Sequence, residues 1–252
     1  IVAFCSRALE LPGMPFDEKL ILSSAGALTL PEVPGRLGII GAGIIALELG
    51  SVWRRLGARV TLFIRRPNLL PMADPAIGRE ARKIFTQQGL DLRFGVKLGE
   101  VVTGEGEVTV RYADADGNAC EERFDKLIVA AGRDPATESI NPAAAGLELD
   151  RRGAIVVDEL CRTNQPGIWA IGDAVRGPML ANKAEEEGIA VAERIAGRAA
   201  VVHLERVPSV IYTEPEIAWV GLNEEEARAA GYDAAAASAP FKANGRARAS
   251  HR

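Results

Sequence analysis

The first half of the chain alternates between apolar runs and helical spacing, and this pattern predicts an α/β unit. "RLGII" (36–40) and "RVTLFI" (59–64) are short apolar runs typical of buried strands. The stretch from Gly41 to Leu56 lies between them and predicts a helix. "KLIVAAG" (126–132) is another continuous apolar run, as expected of a strand in a parallel sheet. The order of these elements predicts a parallel sheet with helices packed on it.

Helix-capping residues and turn-forming residues predict the remaining elements. Asp74 is a favourable N-cap and Pro75 suits a first turn, so a helix is expected there, ending at Gly89. Asn223, with Glu226 three residues later, has the spacing of a capping box. Alternation and turn residues predict strands at 1–6, 90–95, 153–158, 167–173 and 207–213, a hairpin within 107–124, and helices at 181–196 and 223–231.

Composition narrows the possible classes of protein. The chain has 252 residues, 48% hydrophobic residues, 25% charged residues and a net charge of −4, which is typical of a globular protein and gives no electrostatic argument for binding nucleic acid. No apolar run reaches the length of a membrane span, and the first residues lack the pattern of a signal peptide. The basic segment 241–252 is expected to be a solvated tail.

Cysteine and histidine usage adds little chemistry. Cys5, Cys120 and Cys161 are too far apart in sequence for a short-spaced redox pair or a metal cluster. Three scattered thiols predict a cytoplasmic protein with reduced cysteines. With His203 and His251 as the only histidines, a multi-histidine metal site is excluded, and no metal is expected.

The stretch from Gly41 to Ala46, Gly-Ala-Gly-Ile-Ile-Ala, fits the dinucleotide-binding pattern. Gly41 permits a tight turn, Gly43 allows a pyrophosphate to approach the backbone, and Ala46 lets the helix pack closely. Ile44 and Ile45 supply amide groups at the helix N-terminus, where phosphates bind. The alternative is a glycine-rich turn without a ligand.

Three segments resemble the flavoprotein pyridine nucleotide–disulfide oxidoreductases, in particular the dihydrolipoamide dehydrogenases. They are "GAGIIALELGSVWRRLGARVTLF" (41–63), "GIWAIGDAVRGPMLANKAEEEGIAVAERIAG" (167–197) and "VPSVIYTEPEIAWVGLNEEEA" (207–227). The resemblance implies an α/β fold with a Rossmann-like domain of residues 35–150 that binds NAD or NADP. It implies FAD-domain segments at 1–34 and 151–200, and the start of an α+β dimerisation domain at 201–252.

The resemblance also implies which residues meet the cofactors. Asp173 is expected to accept a hydrogen bond from the flavin ribityl chain, and Ser6 to face the flavin. Glu48 corresponds to an acid near the flavin. Leu98 is matched to an adenine neighbour, with core packing as the alternative, and Gly132 to a cofactor neighbour, with a strand-end turn as the alternative. The segment along the flavin edge comprises Met179, Leu180, Ala181 and Asn182.

Several family features are absent from the sequence. It has no CxxxxC pair and no C-terminal His–Glu pair in the family's context, so no catalytic residue is assigned. Phe4 and Cys5 replace the family's Thr-Gly, and Cys5 is interpreted as a small buried residue. The chain is therefore expected to be an inactive fragment of a dihydrolipoyl dehydrogenase-like enzyme that binds FAD weakly or not at all. Strand 207–213 is expected to lack partners and to promote aggregation.

Two other interpretations stay open. The chain could be a stand-alone nucleotide- or partner-binding protein without redox activity, or part of an NADPH-dependent reductase of the glutathione reductase type. Ile64 stands where an NAD site places its ribose-binding acid, and Arg65 and Arg66 follow. Paired arginines suit a phosphate, so NADPH is expected to bind at least as well as NADH. The alternative is that both arginines are solvated loop residues. A parent enzyme would be a homodimer in a 2-oxo acid dehydrogenase complex.

Overall fold

The computed structural model describes residues 1–249, so His251 and the end of the basic segment lie outside the described residues. The strands are β1 (Ser6–Ala8), β2 (Ile21–Leu22), β3 (Arg36–Ile40), β4 (Arg59–Ile64), β5 (Asp91–Phe94), β6 (Lys97–Gly104), β7 (Glu107–Ala113), β8 (Ala119–Phe124), β9 (Lys126–Val129), β10 (Arg133–Pro135), β11 (Ser209–Ile211) and β12 (Ile217–Trp219). The helices are α1 (Ser24–Leu28), α2 (Ile44–Leu56), α3 (Pro75–Gln87), α4 (Ala181–Ile195), α5 (Glu224–Ala229) and α6 (Gly245–Ala249).

A parallel sheet with the strand order β2-β9-β3-β4-β5 forms the centre of the molecule. The predicted strands 36–40 and 59–64 are confirmed with the same bounds. β3 lies between β4 and β9, with Ile40 opposite both Phe63 and Val129. The strand order reverses at β3, and such a reversal leaves a crevice at the carboxyl ends of the strands. The predicted α/β class is confirmed.

The two faces of this sheet bury separate apolar clusters. Helices α2 and α3 cover one face, where Leu47 and Phe85 pack against strand residues such as Leu62. The sheet β6-β7-β8 covers the other face, where Phe63 makes edge-on ring contacts with Tyr112 and Phe124. The predicted hairpin is β7 and β8, and β6 is a third strand that the sequence pattern did not predict.

The helix ends follow their capping signals. The Asp74 side chain accepts a hydrogen bond of 2.7 Å from the Ala76 amide at the start of α3. Both hydrogen bonds of the predicted capping box between Asn223 and Glu226 are present at the start of α5. Gly57 ends α2 in the left-handed conformation.

Strands were wrongly predicted at three places. Residues 1–6 do not form one strand: β1 starts at Ser6, and Val2 makes an isolated bridge to Ala170. Segments 153–158 and 167–173 likewise contain only isolated bridges. Ala170 and Ile171 donate their amide hydrogens to Cys161 and Val2, so successive backbone bonds reach different segments. The expected burial of residues 1–6 is also wrong, since Ile1 and Phe4 are exposed, whereas Ile155, Ala170 and Ile171 in the other two segments are buried without a continuous ladder.

Segments outside residues 35–150 join the central unit. β2 pairs with β9, so the sheet uses residues that precede the predicted boundary after residue 34. β11 pairs with β12, which corrects the expectation that it lacks a partner. Ile211 and Ile217 from these strands belong to the apolar cluster of α2. Within the basic segment predicted to be a solvated tail, residues 241–249 include α6, and Phe241 is 78% exposed. Among the described residues, no helix is long and apolar enough to cross a membrane.

Candidate cofactor-binding site

The glycine turn lies at the carboxyl end of β3, where the strand order reverses. Gly41 has φ +124°, and a Cβ there would lie 2.3 Å from the Ala130 carbonyl oxygen. Its amide donates to Phe63 O at 3.1 Å, which joins the turn to the end of β4. Helix α2 consequently starts at Ile44, three residues later than predicted. Gly41 is therefore required by its neighbours in this structure, with or without a ligand.

Gly43, unlike Gly41, faces open space. It is the N-cap of α2, offers no side-chain cap, and a Cβ built on it would meet nothing within 4 Å. The first amide groups of a helix lack intrahelical acceptors, and here Ile44, Ile45 and Ala46 supply them. Open space beside unpaired amides at a helix N-terminus fits a phosphate group. The residues present therefore fit the pyrophosphate of a dinucleotide.

The structure places Gly132 near this turn but Leu98 on a different side of the sheet. Gly132 follows β9, next to β3 in the sheet, and has φ +150°. Leu98 lies in β6, and its side chain packs in the cluster on the face opposite α2. Contact of either residue with a cofactor stays a prediction.

Arg65 and Arg66 follow β4 at the edge of the sheet that carries the glycine turn. Both are exposed, and neither side chain forms a hydrogen bond or ion pair within residues 1–249. The preceding Ile64 is 3% exposed and packs into the apolar cluster of α2 and α3. The position matched to the ribose-binding acid is therefore part of the core, and two unpaired positive charges lie beside it.

A chain of hydrogen bonds joins Ser6, Arg133 and Asp173. Arg133 Nε donates to Ser6 Oγ at 2.7 Å, and its Nη2 donates to Ser6 O at 2.6 Å. Ser6 Oγ in turn donates to Asp173 Oδ2. Residues from three distant segments thus meet at one point, and the flavin contacts that the resemblance implied for Ser6 and Asp173 stay predictions. Arg133 was not predicted, although its place directly after Gly132 at a strand end was a signal for it.

The predicted flavin-edge segment precedes and enters helix α4. Leu180 is the N-cap without a side-chain cap, and the helix starts at Ala181. Asn182 is exposed and Met179 half-buried. No side chain caps the backbone amides in the first turn of α4, and free amides at a helix N-terminus stabilise a negatively charged group nearby. This geometry fits the predicted role, which no contact in the structure tests.

A buried ion pair in the first two turns of α4 was not predicted. Lys183 and Glu187 are 0% and 1% exposed, and Lys183 Nζ lies 3.3 Å from Glu187 Oε2. Both side chains also bind the backbone of Gly172, the residue before Asp173. The Lys–Glu spacing of four residues was a signal, but most such pairs lie on exposed helix faces.

Glu48 contacts the C-terminal segment. Its Oε1 accepts a hydrogen bond of 2.8 Å from the Tyr212 amide, directly after β11. The carboxylate therefore ties the helix of the glycine turn to the segment after residue 200. Its predicted place near a flavin stays a prediction.

The cysteines are unpaired and their environments differ. Cys5 is exposed, which corrects its interpretation as a small buried residue, and the adjacent Phe4 is 42% exposed. Cys161 is buried, and burial raises the pKa of its thiol, as does the nearby Glu187 carboxylate. A thiol with a raised pKa is a poor nucleophile.

Sequence profiles identify the class of protein to which this fold and site belong. The profile described as pyridine nucleotide-disulphide oxidoreductase matches residues 1–188, and that of the dimerisation domain of the same family matches residues 207–252. The chain belongs to the pyridine nucleotide-disulphide oxidoreductase family.

Its relatives include dihydrolipoyl dehydrogenases, as the resemblance predicted. It is 53% identical to the dihydrolipoyl dehydrogenase of Cupriavidus necator over 98% of this chain and 52% of that protein. It is 46% identical to dihydrolipoyl dehydrogenase 3 of Pseudomonas aeruginosa over 100% of this chain and 54% of that protein. The solved structure of the HOCl-induced flavoprotein disulfide reductase RclA from Escherichia coli matches with a TM-score of 0.86 and 30% identity, over 98% of this chain and 56% of that one. The chain thus spans about half the length of these relatives.

Proposed function

We propose that this chain forms the nucleotide-binding unit and part of the flavin-binding surface of a dihydrolipoyl dehydrogenase-like enzyme. The glycine turn binds the pyrophosphate of NAD or NADP, and Asp173 accepts a hydrogen bond from a ribityl hydroxyl of FAD. FAD, when bound, supplies the chemistry that carries electrons between a dithiol and a nicotinamide. The complete reaction oxidises dihydrolipoamide and reduces the nicotinamide cofactor.

The observation that carries this proposal is the pairing of two preformed sites in one chain. The glycine turn leaves open space at a helix N-terminus. Separately, Ser6 donates to one oxygen of the Asp173 carboxylate, and Arg133 donates to Ser6. The other oxygen has no hydrogen-bond partner among residues 1–249 and can accept from a ligand hydroxyl. Arg133 lies in β10, directly after the last strand of the nucleotide-binding sheet, so this hydrogen-bond chain ties Asp173 to the segment that leaves the sheet.

The chain alone is expected to be inactive in lipoamide oxidation. None of Cys5, Cys120 and Cys161 forms a disulfide, and the spacing of these residues lacks the redox pair that thiol chemistry requires. The test is lipoamide-dependent NAD reduction by the isolated chain with added FAD, with the dihydrolipoyl dehydrogenase of Cupriavidus necator as a positive control. We expect no turnover, and FAD should separate from the chain during gel filtration. Robust turnover, or yellow protein after filtration, would contradict the proposal.

A second candidate is a non-catalytic nucleotide-binding protein. The exposed Phe4 and Cys5, where the family places small polar residues near the flavin, favour this candidate. Sequencing of the gene upstream of the codon for Ile1 separates the two candidates. An in-frame glycine turn and CxxxxC support the enzyme, whereas a promoter and start codon directly before Ile1 support the binding protein.

We further propose that the parent protein forms a homodimer and belongs to a 2-oxo acid dehydrogenase complex. The match of residues 207–252 to a dimerisation domain supports the dimer. The relatives are named dihydrolipoyl dehydrogenases, which supports a dihydrolipoyl group as the substrate class of the parent protein. We include a cytoplasmic location in the same proposal, and the three cysteines without a disulfide support it.

We propose that this site binds NADPH at least as well as NADH. Arg65 and Arg66 are exposed and unpaired at the edge of the sheet next to the glycine turn. The buried Ile64 offers no oxygen for the ribose hydroxyls. A guanidinium can form a bidentate pair with a 2′-phosphate, and each such bond contributes about 1.5–3 kcal/mol. If the site prefers NADPH, the alternative for the parent protein is an NADPH-dependent reductase of the glutathione reductase type.

Calorimetry with NADPH and NADH tests this preference. In the Arg65→Glu chain we expect NADPH to bind at least about tenfold more weakly, because a bidentate bond is lost and a repulsive charge is introduced. Arg82→Glu is a matched control, since Arg82 also lies on the surface of the nucleotide-binding unit but stacks over Phe94. A clear NADH preference in the unmodified chain would refute the proposal.

A further inference from the structure

The buried pair Lys183–Glu187 makes an unusual set of contacts. Lys183 Nζ donates to Gly172 O at 2.7 Å, and Glu187 Oε2 accepts from Gly172 N at 2.8 Å. Two side chains from one helix therefore bind both polar groups of a single peptide residue. Gly172 has φ +71° and starts the 3₁₀ turn Gly172–Ala174, which holds Asp173.

Stability alone is a weak explanation for this pair. Removing two charges from water is costly, and well-packed apolar residues in their place are often as stable. Glu187 Oε1 and Arg176 Nη1 lie 3.8 Å apart, and neither atom has a hydrogen bond within residues 1–249. The carboxylate is therefore used chiefly through Oε2, which binds Lys183 and Gly172.

The surrounding backbone is shaped around Lys183. A Cβ at Gly177 would lie 2.9 Å from Lys183 Cε, so the loop after the turn passes close to the side-chain stem. On the other side of the turn, Ser6 Oγ donates to the Asp173 carboxylate. Asp173 is thus held through its side chain by Ser6 and through the preceding residue by α4.

We propose that Lys183 and Glu187 are positioning residues that fix the Gly172–Ala174 turn and thereby aim the Asp173 carboxylate. This proposal rests on the proposed contact between Asp173 and the flavin. It adds that Lys183 and Glu187 set the direction of the Asp173 carboxylate. The alternative is a simple stabilising pair within α4. The two differ in one respect: a positioning pair needs the ammonium at 183 and the carboxylate at 187, whereas a stabilising pair needs only opposite charges.

The test exchanges the two charges. In Lys183→Glu/Glu187→Lys the ion pair is kept, but a carboxylate now faces Gly172 O and an ammonium faces Gly172 N. Hydrogen exchange measured by NMR on the ligand-free chain reports the turn through the amides of Gly172 and Val175, because Val175 N donates to Gly172 O at 3.3 Å. We expect both amides to exchange on the order of 100-fold faster, because two charge-assisted bonds are lost.

Two internal standards make the result specific. Leu127 and Ala130 report the central sheet, because their amides donate to Leu20 O and Ile40 O. Their exchange should change little. The matched control is Glu80→Lys/Lys83→Glu, an exposed pair 3.8 Å apart on α3, which should leave the turn unchanged. The ¹³C shift of the Asp173 carboxyl carbon should move in the buried swap and stay constant in the control.

Slow exchange at Gly172, or an unchanged Asp173 carboxyl shift, in the buried swap would overturn the proposal. If the swap also accelerates exchange at Leu127 and Ala130, a second variant, Lys183→Met/Glu187→Gln, is used instead. The amide oxygen introduced at position 187 can still accept a hydrogen bond from Gly172 N, whereas the Nζ contact with Gly172 O is lost. There we expect local acceleration on the order of tenfold. Unchanged exchange at the turn, or loss of protection in the sheet, in this variant would overturn the proposal. These readouts need no flavin, so failure of the flavin contact would appear separately, in an FAD titration of Asp173→Asn.

Discussion

The nucleotide-binding region and the flavin-facing region of this chain are held together in different ways. In the first, five parallel strands pair in register, and each face buries a continuous apolar cluster. In the second, residues 153–173 contain only isolated bridges. Their backbone groups bond within turns and to several different segments, and some are bound by particular side chains, such as Thr137, Lys183 and Arg194.

This difference determines which substitutions each region should tolerate. A repetitive ladder with an apolar core depends on pattern and volume, so conservative exchanges at single positions usually cost little. A segment held by a few buried polar side chains depends on their identity, because each one removed leaves a buried group without its partner. Loss of one such side chain should therefore cost more than most changes in the sheet.

The largest effect is expected for Lys183→Met. Lys183 is fully buried, and its removal leaves Glu187 buried without its closest cation and Gly172 O without its donor. Breaking a buried pair in this way typically costs about 3–5 kcal/mol of unfolding free energy. Urea denaturation measures it. Lys83→Met on α3 is the control, and since that side chain is 63% exposed, its cost should stay within about 0.5 kcal/mol. Equal losses of unfolding free energy in the two variants would contradict the predicted difference between the buried and the exposed lysine.

Within the nucleotide-binding region, two neighbouring glycines should behave oppositely. Gly41→Ala would strain a residue at φ +124° and place a Cβ 2.3 Å from Ala130 O, so we expect a loss of about 2–4 kcal/mol in unfolding free energy. Gly43→Ala adds a methyl group to open space at φ −82° and should change stability by less than about 1 kcal/mol. It should weaken dinucleotide binding instead, because the methyl group occupies the space for the pyrophosphate. Denaturation and calorimetry on both variants check this; a stability loss in Gly43→Ala similar to that in Gly41→Ala would contradict it.

The same division explains what the sequence could and could not predict about the fold. Apolar runs predicted β3 and β4 with their bounds, because burial on both faces leaves a continuous apolar signature. The runs at 153–158 and 167–173 have the same signature and are buried in part, at Ile155, Ala170 and Ile171, but no neighbouring strand continues beside them. Burial can be read from composition, whereas pairing depends on which distant segment lies alongside.

The candidate site follows a similar rule. The glycine turn was predictable because close backbone approach restricts the residue type, and the separate flavin contacts expected of Ser6 and Asp173 came from the resemblance. Arg133 and the pair Lys183–Glu187 were not predicted, because a charged residue in a sequence is most often exposed. Arg133 is half-buried and the pair is buried because of tertiary contacts, to Ser6 in the first case and to the Gly172 backbone in the second.

The smallest expected effect lies at the edge of the nucleotide-binding sheet, in the ion pair of Arg36 and Asp125. Arg36 donates to Asp125 through its backbone amide at 2.8 Å and through Nη2 at 2.7 Å. Burial alone would raise the pKa of Asp125, but the side-chain and backbone hydrogen bonds from Arg36 outweigh it and lower the pKa below its usual value. The carboxylate is 37% exposed, so solvent screening limits its contribution to about 0.5–1 kcal/mol.

Because the pKa of Asp125 is lower in the folded than in the unfolded chain, its contribution is fully present above about pH 4 and is lost as the pH falls through the folded value. Asp125→Asn should therefore be less stable than the unmodified chain at about pH 7, and the two unfolding free energies should converge as the pH falls through the lowered pKa of Asp125, where the carboxylate becomes protonated. Glu107 remains as a second partner of Arg36 at 3.2 Å, which keeps the loss small. Urea denaturation across this range measures the difference, with Asp116→Asn as a control in an exposed turn. A difference that is independent of pH, or that grows in acid, would show that the pair does not act through the Asp125 charge.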